Sequence, residues 1–258
     1  MRLNMEDITE VKDIVQIILR TDEIERDGSN GSNISIPIYD ISSEEFLEFA
    51  ENAIASETKE GMVNTISNLK RALDCEMDMF FESINVKRIF DKKNLKFEKK
   101  SQFLADIGLF PIQTINKLNF IRNKLEHEYK TPEIYDLHTY YELVWSVVKI
   151  LDLYLELLFT NGEINLELHI EKNVYYFTMK HDIKGCAFIF EIIDWTKGKE
   201  REQKRLDVTL KNQEDTDGFV KAFNVFLLSI QYFDYGNLNL HQFTTFLIKK
   251  CRTRLSVV

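Results

Sequence analysis

Asn161-Gly162-Glu163-Ile164-Asn165-Leu166-Glu167-Leu168-His169-Ile170 is the stretch at which this chain changes its period. Before it, apolar residues recur every three or four positions, as on a helix face. Within it, Ile164, Leu166, Leu168 and Ile170 alternate with polar residues, as on a half-buried strand. Downstream, residues 174–180 and 186–195 read as two more strands, with turn signals at Lys172-Asn173 and Lys184-Gly185. A fourth short strand is expected near 206–210, and two helices, near 217–232 and 239–254, follow it.

Upstream the reading is helical. Ser42-Ser43-Glu44-Glu45 is a capping box that opens a helix reaching about residue 58. Gly61 reads as the break before a second helix, 62–85, with Ile66, Leu69, Leu73, Met77 and Phe80 on one face. Ser101 is expected to cap a short helix that stops at Gly108. Pro111 suits the first position of the next helix, which ends near Lys130. Thr131-Pro132-Glu133 opens a long helix that ends at Asn161-Gly162. At the N-terminus, residues 5–26 read as an amphipathic helix and Asp27-Gly28-Ser29-Asn30-Gly31-Ser32-Asn33 as a linker. Pro37 argues that the extended piece Ile34–Tyr39 is an edge or unpaired segment. A run of helices and then a run of strands predicts an α+β fold. The expected domains are an N-terminal helix and linker (1–41), an all-α helical bundle (42–161) and a smaller antiparallel-sheet-plus-helices domain (162–258).

Composition narrows the function classes. With 44% hydrophobic and 29% charged residues but only 9 Gly and 3 Pro, the chain has the makings of ordinary cores and little disorder. A net charge of −9 excludes a general nucleic-acid coat, so any RNA contact must be a local basic site. Cys75, Cys186 and Cys251 are far apart and form no C-x-x-C pair, which supports neither a zinc knuckle nor a disulfide framework. His138, His169, His181 and His241 show no metal-ligand spacing and read as surface or strand residues. No metal and no cofactor is expected. The acidic start MRLNMEDITEVKD lacks an apolar signal region, and no apolar run approaches a membrane span. A cytoplasmic location with no membrane partner is the expectation. No P-loop, G-x-G-x-x-G or G-x-S-x-G occurs.

The candidate chemistry lies in Arg122-Asn123-Lys124-Leu125-Glu126-His127-Glu128-Tyr129. At about 100° per residue, with Arg122 at zero, Tyr129 falls about 20° to one side; Glu126, Asn123 and His127 fall about 40°, 100° and 140° to the other. Leu118, Ile121 and Leu125 occupy the neighbouring arc, where a core stripe would sit. Arginine offers a planar fork of donors suited to phosphate. An imidazole with a reference pKa of about 6.5 can take a proton from a ribose 2′-hydroxyl or give one to a leaving oxygen. Such a pair cleaves RNA without a metal and spares DNA. One His serves one end of the proton transfer, so a symmetric dimer is expected to supply the other. The lysine run, with Lys92, Lys93, Lys96, Lys99 and Lys100, is a weaker candidate for RNA contact, diluted by Asp91 and Glu98.

At Arg122, Asn123 and His127 the chain resembles the HEPN superfamily of helical ribonucleases and toxins, whose signature is R-x(4–6)-H with a polar residue after the Arg. Tyr129 extends the match to R-x4-H-x-Y, the form seen in HepT-type toxins. The helix containing Asn68-Leu69-Lys70-Arg71-Ala72-Leu73-Asp74 also looks like the early helix of such domains. The resemblance covers roughly 42–160 and implies a bundle that dimerises with its motif helices facing. It implies a metal-independent endoribonuclease, a toxin or anti-phage abortive-infection effector, with Arg122 and His127 catalytic and Asn123 and Tyr129 supporting; Glu126, on the same arc beside His127, is a further supporting candidate read from its position. In the HepT-type class the matching Tyr is where a nucleotidyltransferase antitoxin attaches AMP; Tyr129 either serves so or packs at the helix end. The expected partners are RNA, a second copy, and an antitoxin or sensor protein. The alternative is a non-catalytic HEPN-fold module that binds protein or RNA. Residues 163–258 carry no resemblance.

Overall fold

In the computed structural model the described residues are 3–91, 96–113, 116–117, 120, 134–195, 202–211, 216–234 and 239–252. They form an α+β structure that divides into two compact units, one of Met1–Ile34 with Leu157–Val258 and one of Ser35–Glu156.

The first unit is built on a five-stranded antiparallel sheet whose strands neighbour one another in sequence order. They are β1 (Glu23–Asn30), β2 (Glu163–Ile170), β3 (Asn173–Asp182), β4 (Ala187–Asp194) and β5 (Glu202–Thr209). The alternation read at 164–170 is realised: Ile164, Leu166, Leu168 and Ile170 are buried, and in register with them lie Tyr175, Phe177 and Met179 of β3. Helices α1 (Val11–Leu19), α7 (Thr216–Asp234) and α8 (Leu240–Arg252) pack together. Phe188 of β4 meets Phe219, Phe223 and Phe226 of α7 at ring centroids of 5.1, 5.2 and 5.4 Å, so α7 covers the apolar face of the sheet.

The helix expected over 5–26 is α1 alone, after a 3-10 turn at Met5–Asp7, and the segment taken as a linker is mostly β1. β1 is polar and nearly all exposed, because it is an edge strand held by backbone pairing to β2 and not by an apolar face. A register shift between Arg26 and Gly28 bulges the strand at Asp27, a device that discourages edge-to-edge association. Residues 34–39 form no strand, as Pro37 suggests. The turn placed at Lys172-Asn173 sits one residue earlier: Ile170 pairs with Asn173, and Glu171 adopts φ 54°.

Gly162 joins β1 to β2. Its N–H donates to the Asn30 carbonyl at 2.8 Å, and Ser32 N–H donates to the Phe159 carbonyl at 3.0 Å. A Cβ on residue 162 would stand 2.5 Å from Ser32 Cα and 2.7 Å from the Gly31 carbonyl oxygen. Gly162→Ala is therefore expected to destabilise the chain by about 1–3 kcal/mol, the range of overpacked sites, read as a lower urea midpoint at unchanged slope.

The second unit is helical: α2 (Ser43–Ala55), α3 (Lys59–Ser83), α4 (Lys87–Phe90), α5 (Lys96–Asp106) and most of α6 (Ile134–Thr160), whose last turn from Leu157 belongs with the sheet. The expected capping box is present, with Ser42 and Glu45 satisfying each other's backbone N–H. The break between α2 and α3 falls at Glu57, at φ 53°, and not at Gly61. Gly61 lies in the first turn of α3, its N–H donated to the Thr58 hydroxyl at 2.9 Å. Ser101 is inside α5, donating to the Phe97 carbonyl, and caps nothing. Phe80, Phe81, Phe90 and Phe103 form an edge-to-face cluster, and Leu137 of α6 packs with Ile54 of α2 and Ile66 of α3. Residues 112–113, 116–117 and 120 are helical, in keeping with a helix opening after Pro111. Trp145 and Trp195 are 46% and 38% exposed. Among the described residues no helix is long and apolar enough to cross a membrane.

Candidate functional site

Arg122, Asn123, Glu126, His127 and Tyr129 lie outside the described residues, as do Lys92 and Lys93; of Lys96 only the backbone is described. What the structure does describe is the ground next to the lysine run. Lys70, Asp74 and Asp78 fall at helical spacing on α3 and, with Lys87, Asp91 and Lys100, line a cleft of about 400 Å³.

The charges in this cleft are compensated. Lys100 is 6% exposed; its Nζ donates to Asp78 Oδ1 at 2.5 Å, lies 3.0 Å from Asp91 Oδ1, and sits 5.7 Å from the centre of the Phe81 ring. Lys87 Nζ stands 3.2 Å from both Asp78 Oδ2 and Glu82 Oε2. Burial works against the Lys87 charge, but Asp78 and Glu82 outweigh it and lift the ammonium to about 12. Tyr39 donates to Glu82 Oε2 at 3.2 Å; burial, helped by Glu82 and opposed by Lys87, holds its phenol up at about 12. Lys100, expected among the RNA contacts, is thus a brace between α3 and α5, since a cation shared by two carboxylates has little field left for phosphate. Lys99 is exposed.

Sequence reading passed over Glu76, although its place between Leu73 and Phe80 on the apolar face of α3 was the signal. It is fully buried, accepts from Ser43 Oγ at 2.6 Å through Oε2, and has no partner for Oε1 among the described residues. Burial pushes its carboxyl up to about 7, against the Ser43 hydrogen bond, with Asp152 and Glu44 adding negative charge and Lys149 opposing them. Because the folded value exceeds the unfolded one of about 4.5, this group's contribution to stability is complete below about 4.5 and is lost as pH rises through about 7. Glu76→Gln should remove that loss. The variant is expected to match the parent near pH 4.5 and exceed it by on the order of 2 kcal/mol at pH 8, measured by urea unfolding.

In the sheet unit, His181 is a strand residue as expected, but an interior one. It is stacked on Phe188 at 4.6 Å and flanked by Phe223 and Phe226. Neither ring nitrogen has a partner among the described residues, and burial lowers its pKa to about 3 against the pull of Asp182. On the opposite, polar face the structure joins residues that no spacing could connect. Ligand atoms of Glu25 on β1 and of Glu167 and His169 on β2 lie within 4.8 Å of one another. Sequence reading missed this group because it placed Glu25 in a helix over 5–26 and so had no reason to set it beside β2. Compared with protein-family models, with curated proteins and with solved structures, the chain matches none.

Proposed function

We propose that this chain is a metal-independent endoribonuclease of the HEPN kind, acting as a toxin or anti-phage effector, with its active site shared between two protomers. One observation carries the reading: the string Arg122-Asn123-Lys124-Leu125-Glu126-His127-Glu128-Tyr129, which sets a phosphate-gripping guanidinium and a proton-moving imidazole on one helical arc. The helical elements on both sides, α2 to α5 before it and α6 after it, are in keeping with the bundle that the resemblance implies. In the proposed reaction Arg122 holds the phosphate while His127 of one protomer takes the 2′-hydroxyl proton. The 2′-oxygen attacks phosphorus, the bond from phosphorus to the 5′-oxygen breaks, and His127 of the other protomer protonates that oxygen. The products are a 2′,3′-cyclic phosphate and a 5′-hydroxyl.

A second reading, a non-catalytic HEPN-fold interaction module, is favoured by the net charge of −9 and by the compensated Lys87 and Lys100. Incubating the full chain with total RNA in EDTA separates the two. The ribonuclease reading expects cleavage with cyclic-phosphate ends, DNA left intact, and a dimer by light scattering. A dimer that leaves every RNA whole supports the module.

A further inference from the structure

We propose that the outer face of the sheet carries a divalent transition-metal site, of the zinc type, formed by Glu25, Glu167 and His169. Register builds the site. Glu25 is paired directly with Glu167 across β1 and β2, and His169 stands two residues along β2, on the same face. Two carboxylates placed directly opposite each other on a sheet repel, so this pairing stabilises the sheet only when positive charge lies between them.

The imidazole supports the same conclusion from a different direction. His169 Nε2 is enclosed and lies 3.0 Å from Glu167 Oε1, yet it makes no hydrogen bond. The two atoms are close without being aligned as donor and acceptor. That is the relation of neighbouring donors aimed at a common centre, since ligands about 2.1 Å from one metal ion sit roughly 3–4 Å apart. Glu167 also takes a hydrogen bond from Tyr176, its neighbour on β3, which anchors the carboxylate as second-sphere partners anchor metal ligands. One imidazole and two carboxylates form a nitrogen–oxygen donor set of the kind that takes zinc, cobalt or nickel. Three protein ligands leave at least one position for water or a substrate. The site stands independently of the ribonuclease reading, whose chemistry uses no metal.

Metal-stripped full-length chain titrated with Co2+ should bind one ion per chain, with visible absorption bands that Zn2+ abolishes by competition. Trp195 packs edge-on against Tyr176 at 5.8 Å, so its fluorescence should respond to the ion, and Trp195→Phe should remove that response without removing the absorption bands. His169→Ala and Glu25→Gln should each weaken Co2+ binding by at least about tenfold. Glu25→Gln relieves the carboxylate repulsion, so it keeps the test decisive if His169→Ala fails to fold. Absence of saturable binding, or binding that Glu25→Gln leaves unchanged, overturns the site; the trio would then be only the close pair of His169 and Glu167 beside Glu25. RNA cleavage that persists in EDTA while the Co2+ bands vanish would show the two proposals to be separate.

Discussion

Arg122→Ala and His127→Ala are each expected to lower RNA cleavage by at least about a hundredfold while leaving the circular-dichroism spectrum unchanged. In the proposed reaction one residue binds the phosphate and the other moves the proton, so neither can substitute for the other. Arg122→Lys keeps the charge but loses the two-pronged geometry, and is expected to recover only part of the activity. If each site draws on two protomers, mixing the Arg122→Ala and His127→Ala chains should restore some cleavage, because mixed dimers contain both residues. Cleavage that survives both substitutions would place the chemistry elsewhere in the chain.

The second large effect is on stability in acid. His181 is neutral in the fold, with its pKa lowered to about 3 from about 6.5. In the unfolded chain it takes up a proton below about 6.5, so the unfolded state binds more protons in this window. Its contribution is therefore complete above about 6.5 and is lost as pH falls towards 3. His181→Phe abolishes that titration and continues the aromatic stack with Phe188, Phe223 and Phe226. Between pH 7 and pH 4 the stability difference should move in favour of the variant by about 3 kcal/mol, measured by urea unfolding at both values. At pH 7 the variant should be no less stable, since it removes two ring nitrogens that have no partner. Parallel pH profiles for the two proteins would mean that His181 is solvated in solution.

Much of this protein was legible one element at a time. The strands β2 to β4 and the long helices α3, α6 and α7 follow from apolar periodicity, which records which face of a segment will meet a core. The capping box at Ser42 and Glu45 was legible because both partners lie within one turn. The motif from Arg122 to Tyr129 is likewise a local pattern of the sequence, and the chemistry proposed for it rests on residue types and spacing alone.

Other features depend on partners distant in the chain, and only the tertiary structure decides them. β1 is a strand because β2 offers its backbone, so a polar, glycine-containing segment is ordered without any apolar pattern of its own. Lys100 reads as an exposed cation until α3 supplies Asp78, after which it is a buried brace. Glu76 and His181 sit at ordinary positions of a helix and a strand, and their shifted protonation comes from desolvation by the elements packed over them. Glu25 meets Glu167 and His169 through strand register, a relation between backbones that the order of residues in either segment does not contain.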